Sequence, residues 1–111
     1  MDKIVSNATP LIYLAKSDKL ILLQTIVKEV FIPEAVFREI VVEGIRTQEK
    51  DAYRVDKAIN QGWLKVKEVK NVISFQFPLH AGEIEVLSLA KEKKIKTVLI
   101  DDAKARSAAR S

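Results

Sequence analysis

Val98-Leu99-Ile100-Asp101-Asp102 is the stretch that decides the fold. A run of aliphatic residues, two of them β-branched, stops at two adjacent carboxylates. A parallel strand covered on both faces reads as such an unbroken run, because helices shield both sides of it. Unpaired carboxylates are almost never buried. The pair therefore marks the carboxyl end of the strand, the place where open α/β sheets bind their ligands. Two uses suit it: holding a cation, or, for Asp102, capping a following helix.

Working outward, strands and helices alternate along the chain. Lys3-Ile4-Val5-Ser6 reads as the first strand, and Thr9-Pro10 opens a helix with the hydroxyl as cap and the proline at its first position. Leu11, Ile12, Leu14 and Ala15 form its apolar stripe. Leu20, Ile21, Leu23, Ile26 and Val27 sit at helical spacing in a second helix. Val30-Phe31-Ile32 is a second strand, and Pro33 starts a helix with Ala35, Val36, Ile40 and Val41 facing the core. A charged helix runs from Gln48 to Gln61 with Ala52, Val55, Ala58 and Ile59 inward, stopped by Gly62. Trp63-Leu64-Lys65-Val66-Lys67 alternates at period two, the mark of an edge strand. After a loop at 70–79, Glu83 to Lys93 is a helix with Ile84, Leu87, Leu89 and Ala90 inward. Thr97 to Ile100 is the last strand, and Ala103 to Arg110 begins a helix. The alternation predicts a three-layer α/β/α fold with a parallel sheet, one domain over residues 1–111.

Composition bounds the function. The chain of 111 residues is 48% hydrophobic and 31% charged, as in ordinary globular proteins. It has no cysteine, which excludes disulfides, thiolate zinc sites and cysteine nucleophiles together. No apolar stretch approaches the roughly 20 residues that span a bilayer, and the start does not read as a signal peptide. A reducing cytoplasm fits these features. The net charge of +4 is uneven: residues 1–90 carry twelve basic and twelve acidic side chains, so the excess falls in residues 91–111. Lys91, Lys93, Lys94, Lys96, Lys104, Arg106 and Arg110 lie there, close in sequence to Asp101-Asp102. A basic rim beside an acidic pocket suits a polyanion brought to a metal, although a Lys-rich solvated surface has the same composition.

Several polar residues fall at strand ends or at the helix starts that follow. Asn7 ends the first strand, Glu39 lies on the helix after the second, Glu83 and Glu85 open the helix before the last strand, and Asp101 and Asp102 end that strand. If the first and last strands are neighbours, these groups converge in one crevice. Converging carboxylates repel unless a divalent cation neutralises them. Oxygen donors without cysteine suit Mg²⁺ or Mn²⁺ rather than zinc. Each acid taken singly also has a structural use, since negative charge is favourable in the first turn of a helix. His80 is either a general base near Glu83 or a local hydrogen-bonding residue.

The pattern resembles the PIN-domain family, and more narrowly its VapC-toxin-like members that open with Ser-Asp/Asn-x-Ser/Thr-Pro-Leu-Ile. The matching segments are Val5 to Ile12, Ile32 to Ile40, Gly82 to Glu85 followed by Leu89-Ala90, and Leu99 to Asp102, in family order over nearly the whole chain. The resemblance implies a Mg²⁺- or Mn²⁺-dependent ribonuclease, in many members the toxin of a toxin–antitoxin pair and often a homodimer. Carried over, the first family acid falls on Asn7, the second on Glu39, the third on Glu83 and the fourth on Asp101 or Asp102. Thr9 matches the hydroxyl that orients the first acid, and Glu85 supports the site. Lys91, Lys93, Lys94, Lys104, Arg106 and Arg110 would hold the RNA backbone. Two departures follow. Asn7 stands where the family has an aspartate, and the chain ends a helix and a strand sooner than such domains usually do.

Two functions from different classes are therefore open: a metal-dependent endoribonuclease, and a non-catalytic PIN-like module that binds RNA or protein through a degenerate metal site. A receiver-type phosphoacceptor is disfavoured because its acid pair follows the first strand, where this chain has Asn7. A dinucleotide-binding fold lacks its Gly-rich loop here.

Overall fold

The computed structural model describes residues 2–70 and 81–100, without the side chains of 81–83. In chain order the elements are β1 (Lys3–Ser6), α1 (Ala8–Lys16), α2 (Leu20–Ile26), β2 (Glu29–Pro33), α3 (Glu34–Phe37), a π-helical turn (Arg38–Val42), α4 (Glu43–Arg46), α5 (Lys50–Gln61), β3 (Leu64–Lys67), α6 (Ala81–Lys93) and β4 (Val98–Leu99). The four strands form a parallel sheet in the order β3-β2-β1-β4. The fold is α/β, as the alternation predicts. All but the first residue of the loop expected at 70–79, His80, and the helix expected from Ala103 to Arg110 lie outside the described residues.

Strand order fixes where the chain reverses. From β1 the connections move to β2 and then β3 on one side. The β3–α6–β4 crossover then returns to the opposite side of β1. Parallel crossovers are right-handed, so α6 lies on one face of the sheet and the helical layer of α1, α2, α4 and α5 on the other, while α3, leaving the end of β2, also touches α6. Packing agrees: α6 rests on β1, β2 and β4, whereas α5 rests on β3 and against α1. Alternate residues divide between the faces. Ile4, Val30, Ile32 and Leu64 point to one side and are almost fully buried, while Val5 and Phe31 point to the α6 side. Val86 to Ala90 are buried in an unbroken run, Ser88 included, which explains why α6 shows little helical periodicity.

Four local features differ from the sequence expectation. The helix after β1 starts at Ala8, one residue before Thr9, and its cap is Asn7: the Asn7 Oδ1 accepts from the Ala8 backbone N–H at 2.8 Å. Thr9 is exposed within the first turn. Ile21 and Ile26 are exposed at 64% and 57%, because Leu20, Leu23 and Val27 alone supply the inward stripe of a seven-residue helix. On α6, Val86 and Ser88 are fully buried beside the expected Leu87, Leu89 and Ala90, and Ile84 is only half-buried. Finally, α3 runs into α4 through the π turn, in which the Glu43 N–H donates to the Arg38 carbonyl. The extra residue lets the adjacent Ile40 and Val41 both face inward.

Two glycines carry geometry. Gly62 closes α5 in the left-handed region at φ 93°, where a side chain would be strained. Gly44 lies where α4 and α5 touch: a Cβ there would stand 2.6 Å from the Ala52 Cβ. Arg54 ties the helical layer together by donating from Nη1 to the Ala15 carbonyl at the end of α1.

Candidate metal centre

The reversal between β1 and β4 is a topological switch point, where the chains leaving two adjacent parallel strands part in opposite directions and open a crevice. Ser6 pairs with Leu99, and the Asn7 N–H donates to the Leu99 carbonyl at 2.8 Å. The condition set by the sequence, that the first and last strands be neighbours, is met. Asn7 stands directly beside the segment that leads through Ile100 to Asp101.

Asn7 is 7% exposed and Ser6 is fully buried. The Ser6 Oγ donates to the Asn7 carbonyl at 2.9 Å, so both ends of Asn7 are held. With its Oδ1 on the Ala8 N–H, the side-chain amide is fixed at the amino end of α1. An amide oxygen keeps a second lone pair after one hydrogen bond, so capping and ligation by Asn7 are compatible. Beside it, Thr9, Pro10 and Tyr13 of α1 face Val98, Leu99 and Ile100 across a cleft of about 470 Å³. Pro10 and Tyr13 were not singled out by sequence; the cleft depends on the β4–α1 juxtaposition, which no local pattern encodes.

The other carboxyl-edge residues are less closely joined. Glu39 is exposed on the π turn that follows β2; such wide turns recur at functional sites in proteins generally. Because β3 and β4 are parallel, the helix between them runs antiparallel to the strands. The amino-terminal turn of α6, with Glu83, is thus directed to the carboxyl edge, and Glu85 in that turn is half-buried. The Glu83 side chain, Asp101 and Asp102 lie outside what the structure describes. Among the described residues no three His, Cys, Asp or Glu side chains gather to hold a metal ion.

The basic residues are divided by the same geometry. Lys91 and Lys93 end α6, and Lys94 and Lys96 precede β4, so they lie at the amino edge of the sheet. A helix of 13 residues spans roughly 20 Å at 1.5 Å per residue, which separates them from Glu83. Where these four stand relative to the acid pair lies outside the described residues. Lys104, Arg106 and Arg110 lie outside the described residues. The α6 face of the sheet instead carries Lys3 at the amino edge and Lys65 and Lys67 along β3, Lys67 at the carboxyl end of that strand in register with Pro33; sequence reasoning did not select them, and the period-two lysines of β3 were its visible signal. There Lys65 pairs with Glu29 and holds the Glu29 carboxyl below its usual value, with Lys3 and Lys67 adding to the effect.

A parallel sheet wound on both faces, with its strand order reversing between β1 and β4, defines a doubly wound α/β domain. A family model described as PIN domain matches residues 3–111, and the chain belongs to the PIN-domain family. No curated protein and no solved structure gives a significant match. PIN domains have a nuclease-type fold and generally depend on divalent metal, with nucleic acid as the expected partner. Among the described residues no helix is long and apolar enough to cross a membrane.

Proposed function

We propose that this chain is a Mg²⁺- or Mn²⁺-dependent endoribonuclease. The single observation that carries the proposal is the bond between the Asn7 N–H and the Leu99 carbonyl at the switch point. It supports a crevice in which Asn7, Glu39, Glu83 and Asp101 or Asp102 act on one ligand, with Thr9 and Glu85 in support. The donor set is of oxygen alone, which fits a hard divalent cation. When bound, such a cation supplies a water of lowered pKa and charge stabilisation at the phosphate. The chain's own residues then have distinct parts. Asn7, immobilised by its cap, offers a neutral oxygen in a fixed place. Glu39, exposed, is free to meet a ligand from the solvent side. Glu83 brings negative charge from the helix turn opposite.

The wider reading is of a cytoplasmic toxin of a toxin–antitoxin pair, working as a homodimer and held by a small antitoxin, with residues 1–111 forming one PIN-like domain. The exposed apolar side chains of α2, Ile21, Leu22 and Ile26, support an apolar protein contact. The second reading, a non-catalytic module binding RNA or protein, is favoured by one observation: the Asn7 Oδ1 already has a structural partner in the Ala8 N–H. Cleavage of RNA with Mn²⁺ decides between them. Wild type should cut and Glu83→Gln should not; equal rates in the two would remove Glu83 from the site and sink the nuclease assignment.

A further inference from the structure

A groove that the proposed function does not use opens at the amino edge of β1 and β2 and runs over the α6 face of β3 as far as Lys67, at the carboxyl end of that strand. Lys3 on β1, Glu29 and Phe31 on β2, and Lys65 and Lys67 on β3 all point to the α6 face, by strand alternation and register. α6 packs over β1, β2 and β4, so the half-buried lysines of β3 lie beside it, outside the strands it covers. Lys3, Glu29, Phe31, Lys65, Lys67, Lys93 and Ile95 surround a depression of about 250 Å³. A second depression of about 420 Å³, sharing Lys3, Lys93 and Ile95, continues past Lys94 and Lys96 to Asp2.

Charge in this groove is unbalanced. Of its two carboxylates, Glu29 pairs with Lys65 and Asp2 with Lys28, which lies outside it. Among the described residues, Lys3, Lys67, Lys93, Lys94 and Lys96 have no carboxylate within ion-pair distance. The Lys3 and Lys67 ammonium groups instead lie 6.0 and 5.8 Å from the centre of the Phe31 ring, a buried residue that floors the depression. Five such ammonium groups along one groove of a chain whose net charge is +4 are costly to hold together without a counter-charge. They are spread along two joined depressions, not focused on one point. Ammonium groups bind phosphate as point charges and demand no fixed planar partner, so this spacing matches a repeating anion.

We propose that the amino-edge groove binds the phosphodiester backbone of single-stranded RNA. The proposal rests on the nucleic-acid part of the function above and not on catalysis. A strand held there extends the footprint well beyond the nucleotides at the switch point, and it is recognised by charge, without reading its bases.

The test is fluorescence anisotropy with a labelled 12-nucleotide RNA in EDTA, where cleavage does not enter. The variant Lys3→Gln, Lys67→Gln, Lys93→Gln should lose at least tenfold in affinity at 0.1 M salt. Each backbone contact on a single strand adds about 0.7 to the slope of log affinity against log salt, so the slope should fall by about 2. The charge-matched control Lys16→Gln, Lys19→Gln, Lys57→Gln, on the helices of the other face, should bind as wild type does. Thermal melts of both variants establish that they fold. Equal losses in the two would mean that net charge, not this groove, holds the RNA. Absence of wild-type binding, or equal displacement of the RNA by polyglutamate, would also overturn the proposal. If the groove variant weakens binding but wild type cuts no RNA with Mn²⁺, the groove stands and the nuclease reading falls.

Discussion

The two edges of one sheet are built in opposite ways. At the carboxyl edge the polar residues are tied to backbone: the Asn7 Oδ1 caps α1, its N–H bonds Leu99, and the Ser6 Oγ bonds the Asn7 carbonyl. Along the lysine groove the polar residues are long side chains placed by strand register, which meet one another, the Phe31 ring and solvent rather than backbone. Backbone-tied groups keep the positions needed to orient a reacting atom, whereas solvated lysines supply attraction without precision. In the reading proposed above, chemistry falls to the backbone-tied groups and capture to the solvated lysines, a division that strand direction and side-chain alternation together would produce.

The largest expected effect breaks the comparison if it fails. Glu83→Gln should lower RNA cleavage by about 10²-fold or more, the scale on which loss of one electrostatic group at a reacting centre acts, while leaving RNA affinity in EDTA unchanged. The amino-edge triple lysine variant should do the reverse, raising KM for long RNA with kcat kept. If both variants change the same parameter, the edges are not separate.

Much of this division was legible in the sequence, and the reasons are physical. Strand ends and their polar terminators are local, so Asn7, Gly62 and the alternation of Lys65 and Lys67 could be read directly. The β1–β4 pairing followed only conditionally, because neighbouring strands 90 residues apart leave no periodic mark. The placing of the basic residues was hidden for a related reason: Lys91 and Lys93 close α6 while Glu83 lies in its first turn, so charges on one helix are set at its opposite ends, which composition does not express. The exposed Ile21 and Ile26 show a different limit. Hydrophobic spacing tells which residues can share a stripe, but a seven-residue helix buries fewer of them than the pattern allows.

A smaller effect sharpens the contrast by touching neither edge. Gly44→Ala improves helix propensity by about 1 kcal/mol, but its new methyl meets the Ala52 Cβ, which cannot rotate away. Overpacking of this kind costs about 1–3 kcal/mol, so denaturant melts should show a net loss of about 1 kcal/mol. Cleavage and RNA affinity per folded molecule should both be unchanged, which separates loss of fold from loss of either site. Next in size is Asn7→Ala, which removes the cap and should cost about 1 kcal/mol. Asn7→Asp keeps a capping oxygen and adds charge at a helix amino end, so its stability should equal or exceed wild type. Calorimetry should show tighter Mn²⁺ binding by Asn7→Asp; no gain would argue that Asn7 is a cap alone.

The smallest effect lies at the amino edge. Glu29 is hydrogen-bonded by Lys65 and flanked by Lys3 and Lys67, so its carboxyl titrates below the ordinary value of 4.5. A depressed folded-state value means that the stabilisation is present above the unfolded-state value and is lost as pH falls through the folded one. Glu29→Gln should therefore melt slightly below wild type at pH 7, and the two curves should merge in acid below that lowered value. The same substitution frees Lys65 within the groove. RNA affinity in EDTA should then rise modestly at pH 7, with a steeper salt dependence, even as stability drops. A variant that loses stability and gains affinity cannot be explained by misfolding. If affinity instead falls, the lysines of this edge need Glu29 to hold them in place, and the capture surface is less plastic than its solvated side chains imply.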